Sequence, residues 1–175
     1  MTWPPALDQD RSAAIVALFD ELADGVYTLA VRLLRDRHLA EDVVQETFLA
    51  AFRNLESYEG EGPIAAWIYR IGYHKSIAAH RRRRDEPRDP ALMMRSTARV
   101  VASAEQEVVR SELIATLDRA IDGLTQPLRV VFVLRDIEGL STYETATALA
   151  VSPSAVKMRL LRARKELRES LKEYL

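Results

Sequence analysis

Trp67, Arg70, His74, Lys75 and Arg81 set one aromatic ring and several cations on neighbouring turns of a single stretch, with Tyr69 and Tyr73 adding further rings. Rings stack on bases and cations follow phosphates, so this mixture suits single-stranded nucleic acid. Gly60-Glu61-Gly62, just before it, could frame a pocket for an extruded base. The plainer use of the same residues is a core tryptophan followed by a basic helix end that complements the helix dipole. A second set lies near the C-terminus. From Ser152 to Tyr174 there are seven basic and three acidic residues, a net of +4. Ser152 and Ser154 at a helix start suit a phosphate, and arginine can donate two hydrogen bonds to guanine. The third set is Asp42, Gln45, Glu46, Leu49 and Arg53, an acidic and amide-bearing strip with a leucine in it. It has no base or metal partner nearby in sequence, which leaves protein docking or an ordinary solvated helix face.

Each set needs a helix to position it. Three apolar stripes at three-to-four spacing are Ile15, Leu18, Phe19 and Leu22; then Val26, Leu29, Ala30, Leu33 and Leu34; then Leu39, Val43, Val44, Phe48, Ala51, Phe52 and Leu55. Such stripes cover one helix face and require a partner. The acidic strip lies opposite the third stripe. Two glycines and Pro63 break the pattern, and Pro63 can open the next helix, which carries Ile64, Ile68 and Ile71 and runs into four arginines. Residues 85–104 are polar, then weakly patterned, with prolines at 87 and 90; they read as a linker.

From Glu105 the pattern is helical again, beginning with Val108, Leu113 and Leu117. Thr125 is placed to cap a helix containing Leu128, Val131, Phe132 and Leu134. Ser141 and Glu144 have the spacing of a capping box, and Ser152-Pro153 is a second helix start. Only the short turn 150–152 separates the two, the outline of a helix-turn-helix. If Val156, Leu160, Ala163, Leu167 and Tyr174 face inward, Ser154, Met158 and Arg162 face outward, with Lys157 and Arg159 beside them.

The totals agree with an all-α fold. The chain has 175 residues with few glycines and prolines, and no strand-like alternation is visible. It has no cysteine, which excludes disulfides and thiolate metal sites, and its three histidines are scattered, so no cofactor or metal is expected. No apolar run is long enough to span a bilayer and the N-terminus has no signal-peptide pattern, so a cytoplasmic protein is expected. The net charge of −1 conceals the uneven distribution that matters. The expected organisation is a helical bundle over 8–84, a flexible linker over 85–104, and a helix-turn-helix domain over 105–175.

Together the segments resemble the extracytoplasmic-function group of bacterial sigma factors. Ala40-Glu41-Asp42-Val43-Val44-Gln45-Glu46-Thr47-Phe48 is similar to the family's region 2 core-binding signature. Trp67-Ile68-Tyr69-Arg70-Ile71 resembles the start of its promoter-melting helix. Gly139-Leu140-Ser141, Glu144, Ala146, Leu149, Val151-Ser152, Ala155-Val156-Lys157, Arg159-Leu160 and Arg162-Ala163-Arg164 match its region 4 helix-turn-helix. Ala150 stands at a turn position that usually holds glycine, and Tyr73-His74 stands where arginine and asparagine are frequent.

The resemblance implies roles. Asp42, Gln45, Glu46, Phe48 and Leu49 would meet the clamp helices of the largest subunit of RNA polymerase core, Phe48 from beneath. The segment 58–64, with Tyr58, Glu59, Gly60 and Glu61, would read an extruded base of the -10 element. Trp67, Arg70, His74 and Lys75 would hold the opened strand. Ser152, Ser154, Lys157, Met158, Arg159 and Arg162 would read or grip the -35 duplex. The helix with Leu128, Val131 and Phe132 would meet the flap of the second large subunit, and an anti-sigma factor would be the natural inhibitor. The expected role is therefore a non-enzymatic specificity subunit for promoter DNA. An ordinary helix-turn-helix transcription regulator would explain 139–164 but not 42–48. A sigma-like decoy for an anti-sigma factor would be expected to carry a receiver domain and a degraded basic helix. A carboxylate enzyme in a helical bundle would need paired Glu-x-x-His motifs, which the sequence lacks.

Overall fold

The computed structural model describes residues 11–55, 58, 60, 62–85, 105–172 and 174; of residues 11, 84, 85, 105–111 and 113 it describes the backbone alone. Among these residues are seven α-helices, one π-helical turn and no strand. Helices α1 (Arg11–Leu34), α2 (Arg37–Asn54) and α3 (Ile64–Asp85) form the first module. Helices α4 (Glu105–Gly123), α5 (Gln126–Phe132), α6 (Thr142–Leu149) and α7 (Pro153–Ser170) form the second, with a π-helical turn Val133–Ile137 continuing α5. The expected linker falls between the end of α3 and the start of α4, outside the described residues apart from Asp85.

The first module follows from its stripes. Ala14, Leu18, Leu22, Val26, Leu29 and Leu33 of α1 are buried against Val44, Phe48 and Ala51 of α2 and Ile64 and Ile68 of α3. Burying each of the valine, leucine, isoleucine and phenylalanine side chains contributes about 1.5–3 kcal/mol. Gly72 lets the three helices approach: a Cβ there would sit 3.0 Å from Val26 Cγ1 and 3.6 Å from Thr47 Oγ1. Asp36 caps α2 by accepting from the Leu39 amide at 3.2 Å. Phe19 and Phe52, placed in the apolar stripes by periodicity, stand at the stripe edges and are 43% and 42% exposed.

The second module is built on local signals. Ser141 and Glu144 form the reciprocal capping box, at 3.1 and 2.7 Å. Ser152 caps α7 through the Ala155 amide at 3.1 Å, with Pro153 in the first turn. Between them Ala150 adopts the left-handed conformation, φ 52° and ψ 46°, which costs a non-glycine residue roughly 1 kcal/mol. Thr125 precedes α5 as expected, but its side chain makes no capping hydrogen bond. Val156, Leu160, Ala163 and Leu167 face inward, whereas Tyr174 lies beyond the end of α7 and is exposed.

The modules do not stand apart in this structure. One continuous core runs from Leu18, Val26 and Ile68 of the first to Val131, Leu134, Leu149 and Val156 of the second. Helix α3 packs along α6, and α1 packs against α5 and the π-helical turn. Polar contacts tie the same seam. Arg32 pairs with Asp118 at 2.6 Å. Arg129 is buried and donates to the carbonyls of Ile121, Asp122 and Leu124 and, across the seam, to that of Arg32 at 3.1 Å. Burial lowers the Arg129 pKa, with Arg35 and Arg32 pushing the same way and Asp122 opposing. Four carbonyl acceptors take up four of the five N–H donors of the guanidinium.

Candidate nucleic-acid interface

Helix α3 brings the expected strand-binding residues together. Trp67, Arg70, His74 and Lys75 line an open cleft of about 460 Å³, with Ile71 and Ala78 forming its apolar floor and Arg82 closing its far end. Arg70 and His74 are exposed, and Trp67 and Lys75 are half-buried. Tyr58 lies at the other end, its ring centroid 5.3 Å from that of Trp67. The Tyr58 hydroxyl donates to the Gly62 carbonyl at 2.5 Å, and burial raises its pKa. Gly60 and Gly62 take positive φ values of 73° and 96°, which glycine adopts without strain. Glu59 and Glu61, expected in the same loop, lie outside the described residues.

The rings are divided between two faces. Tyr73 remains near the His74 ring, 5.7 Å between centroids. Tyr69 points the other way: it is buried and bonded to Glu138 of the second module, so the sequence-based placement of Tyr69 among the stacking rings is corrected. The arginine run also divides. Arg82 faces the cleft, while Arg83 turns to the corner between α1 and α2, 3.3 Å from the Leu34 carbonyl and 3.5 Å from Asp36. Sequence reasoning missed Arg82 as a cleft residue. Its signal was the spacing 67, 71, 75, 78, 82, one line along a helix.

On α2, Asp42, Gln45 and Leu49 are exposed and Phe48 is buried beneath them, edge-on to Phe19 with centroids 4.9 Å apart. Glu46 differs from its neighbours. Its carboxylate lies 3.0 Å from Lys75 Nζ and 4.0 Å from a terminal nitrogen of Arg82.

On α7, Ser152, Ser154, Lys157, Met158 and Arg162 are exposed and Arg159 is half-buried. Arg164, which the sequence adds to the positive surface, is held by two hydrogen bonds to Asp136 at 2.8 and 2.7 Å, and that pairing raises its pKa. Its charge is thus matched within the module. Among the described residues there is no group of His, Asp and Glu able to hold a metal, and no helix long and apolar enough to cross a membrane.

Residues 18–86 match the family model for Sigma-70 region 2, and residues 114–167 match that for Sigma-70, region 4. The chain is 37% identical over 180 residues to the ECF RNA polymerase sigma factor SigE of Mycolicibacterium smegmatis, covering 99% of this chain and 69% of that one. It is 32% identical over 174 residues to the ECF RNA polymerase sigma factor SigW of Bacillus subtilis, covering 95% and 91%. Among solved structures, CnrH in complex with the cytosolic domain of CnrY superposes with a TM-score of 0.69 at 28% identity, covering 92% of this chain and 89% of that one. The sigma factor RpoE in complex with the anti-sigma factor NepR from Bartonella quintana superposes with a TM-score of 0.72 at 21% identity, covering 91% and 97%, a likeness of fold. Two regions matched in order, together with relatives 37% and 32% identical, show that the chain belongs to the extracytoplasmic-function group of the sigma-70 family, the sigma factors of bacterial transcription initiation.

Proposed function

We propose that this sigma factor docks on RNA polymerase core through the exposed face of α2, holds the opened strand of the -10 element in the α3 cleft, and reads the -35 duplex with α7. The observation that carries this reading is the cleft itself. Aromatic and cationic side chains from Trp67 to Arg82 converge on one solvent-facing line of α3, with the Tyr58 ring at its end. Asp42, Gln45 and Leu49, with Phe48 beneath, form the polymerase-facing strip. The loop 58–64 takes the extruded base. Ser152, Ser154, Lys157, Met158, Arg159 and Arg162 meet the duplex. Neither DNA surface needs high affinity alone, because a common carrier raises the effective concentration of each. The chain has no catalytic role of its own and works in the cytoplasm, with nucleotide chemistry left to the polymerase.

The packed arrangement fits an inhibited state. The two promoter elements are named for positions about 25 base pairs apart, roughly 85 Å of duplex. A folded chain of this length has a radius of gyration of about 16 Å, so a packed molecule cannot reach both. Residues 86–104, fully extended, span at most about 65 Å, enough to let the modules part. An anti-sigma factor that holds the modules together would keep the protein from promoters, and the likeness to CnrH, solved in complex with the cytosolic domain of CnrY, supports a protein partner.

In vitro transcription with purified core polymerase on a random promoter library tests the proposal. Enrichment of paired -10 and -35 sequences is expected. Selection of the same promoter sequences by the chain alone, with no association with polymerase core, would overturn it.

A further inference from the structure

Glu46 shares the acidic strip of α2 with Asp42, Gln45 and Leu49, and its carboxylate also reaches two cations that line the α3 cleft. One oxygen lies 3.0 Å from Lys75 Nζ and the other 4.0 Å from Arg82, whose side chains sit two helical turns apart on α3. The same two cations line the cleft. A carboxylate at that distance from an ammonium stands where a phosphate oxygen would stand.

The ion pair is not needed to hold α2 on α3. That contact is already set by buried apolar side chains and by the close approach at Gly72 and Thr47. Ion pairs between partly exposed side chains add little to stability, and here the Lys75 and Glu46 side chains are 34% and 43% exposed. The larger effect of Glu46 is on the charge of the cleft, where it offsets one of three fixed positive charges.

We propose that Glu46 is a built-in competitor for the phosphate backbone: it occupies Lys75 and Arg82 in the free chain and sets the affinity of the cleft for single strands. The proposal rests on the strand-binding reading of the cleft given above. Its consequence is selectivity. Phosphate contacts carry no sequence information and dominate non-specific binding. Weakening them makes retention of a strand depend more heavily on the captured base and on the polymerase.

The test is binding of a fluorescent 15-nucleotide single strand to the full chain without polymerase, by anisotropy across a salt series. Glu46→Gln keeps the side-chain shape and removes the charge. It should tighten binding about threefold at low salt and steepen the salt dependence, because each released cation adds up to about 0.7 to the slope for single strands. Lys75→Gln breaks the same ion pair from the other side and should weaken binding. A purely structural pair would move both variants in one direction, and that result would overturn the proposal. Asp42→Asn removes an equal charge one turn away. A gain matching that of Glu46→Gln would reduce the effect to net charge and also overturn it. If Arg70→Ala weakens binding while Glu46→Gln leaves it unchanged, the strand-binding reading stands and the proposal alone fails. If Arg70→Ala and Lys75→Gln both leave binding unchanged, the cleft does not hold strands and both fall.

Discussion

The Tyr69 hydroxyl donates to a carboxylate oxygen of Glu138 at 3.0 Å, joining the middle of α3 to the turn that precedes α6. Both groups meet over Gly25, where any Cβ would collide with the Tyr69 hydroxyl and the Glu138 carboxylate. Burial first, and the Glu138 charge second, push the Tyr69 hydroxyl far above its ordinary range, so it remains a proton donor. The Glu138 side chain is delivered there by the π-helical turn, whose Glu138 amide bonds back five residues to Val133 at 2.9 Å.

Removing the hydroxyl should loosen the seam. Tyr69→Phe is expected to lower thermal stability by about 1 kcal/mol, the usual net value of one such hydrogen bond. Gly25→Ala should do more, because it leaves no room for the two groups to meet. Small-angle scattering should show a larger radius of gyration for Gly25→Ala than for the parent. A variant as compact and as stable as the parent would mean that the junction at Gly25 does not hold the modules together.

The same junction gives the packed form a dependence on acidity. Burial raises the Glu138 pKa, with Asp24 adding to it and the hydrogen bonds from Tyr69 and Thr28 opposing. A carboxyl raised in the folded form holds its proton more tightly there, so this group favours the packed form as pH falls through the raised value toward the ordinary 4.5. Glu144 acts in the opposite sense. The Ser141 hydrogen bonds lower its pKa, so its stabilisation is present above 4.5 and lost on further acidification. Glu138→Gln should therefore raise the melting temperature, relative to the parent, more at pH 7 than near pH 4. An unchanged difference between the two would remove Glu138 from the account.

Ala150 offers a gain. Glycine reaches the left-handed conformation without the Cβ clash, so Ala150→Gly should stabilise the protein by up to about 1 kcal/mol. Chemical denaturation monitored by far-ultraviolet circular dichroism would measure it. A loss of stability would show that the alanine methyl contributes more in packing than it costs in strain.

Two arginines on α7 should separate cleanly. Arg162 is exposed, whereas Arg164 is committed to Asp136. Arg162→Ala is expected to cost roughly 1–3 kcal/mol of -35 binding and to relax preference at one base position. Arg164→Ala should leave sequence preference intact. Selection from a randomised -35 library by each variant in complex with polymerase decides this. Identical preferences for Arg162→Ala and the parent would end the assignment.

The parts of the protein governed by near neighbours in the chain were readable in advance. The capping box at Ser141, the proline start at Pro153, the left-handed Ala150 and the inward row from Val156 to Leu167 each depend on residues within a few positions. The cleft on α3 was readable because one helix carries nearly all of it. What periodicity could not supply was the direction taken by residues whose partners lie far along the chain. Tyr69 looks like another stacking ring until Glu138, 69 positions away, claims it. Glu46 reads as part of the acidic strip alone, and its pairing with Lys75, 29 positions away, is invisible to periodicity. Arg164 counts as surface charge until Asp136 is seen to neutralise it. In each case a long-range partner redirects a side chain whose helical position was correctly inferred.

Arg129 gives the seam a further property. Its guanidinium serves the carbonyls at the end of α4 and, at the same time, the Arg32 carbonyl of α1. A guanidinium stays charged when its acceptors leave, so drawing α1 away from α5 exposes a buried cation that water must then solvate. Parting of the halves is thereby tied to wetting of one point, and a solute excluded from protein surfaces, such as sucrose, acts on that equilibrium as a brake.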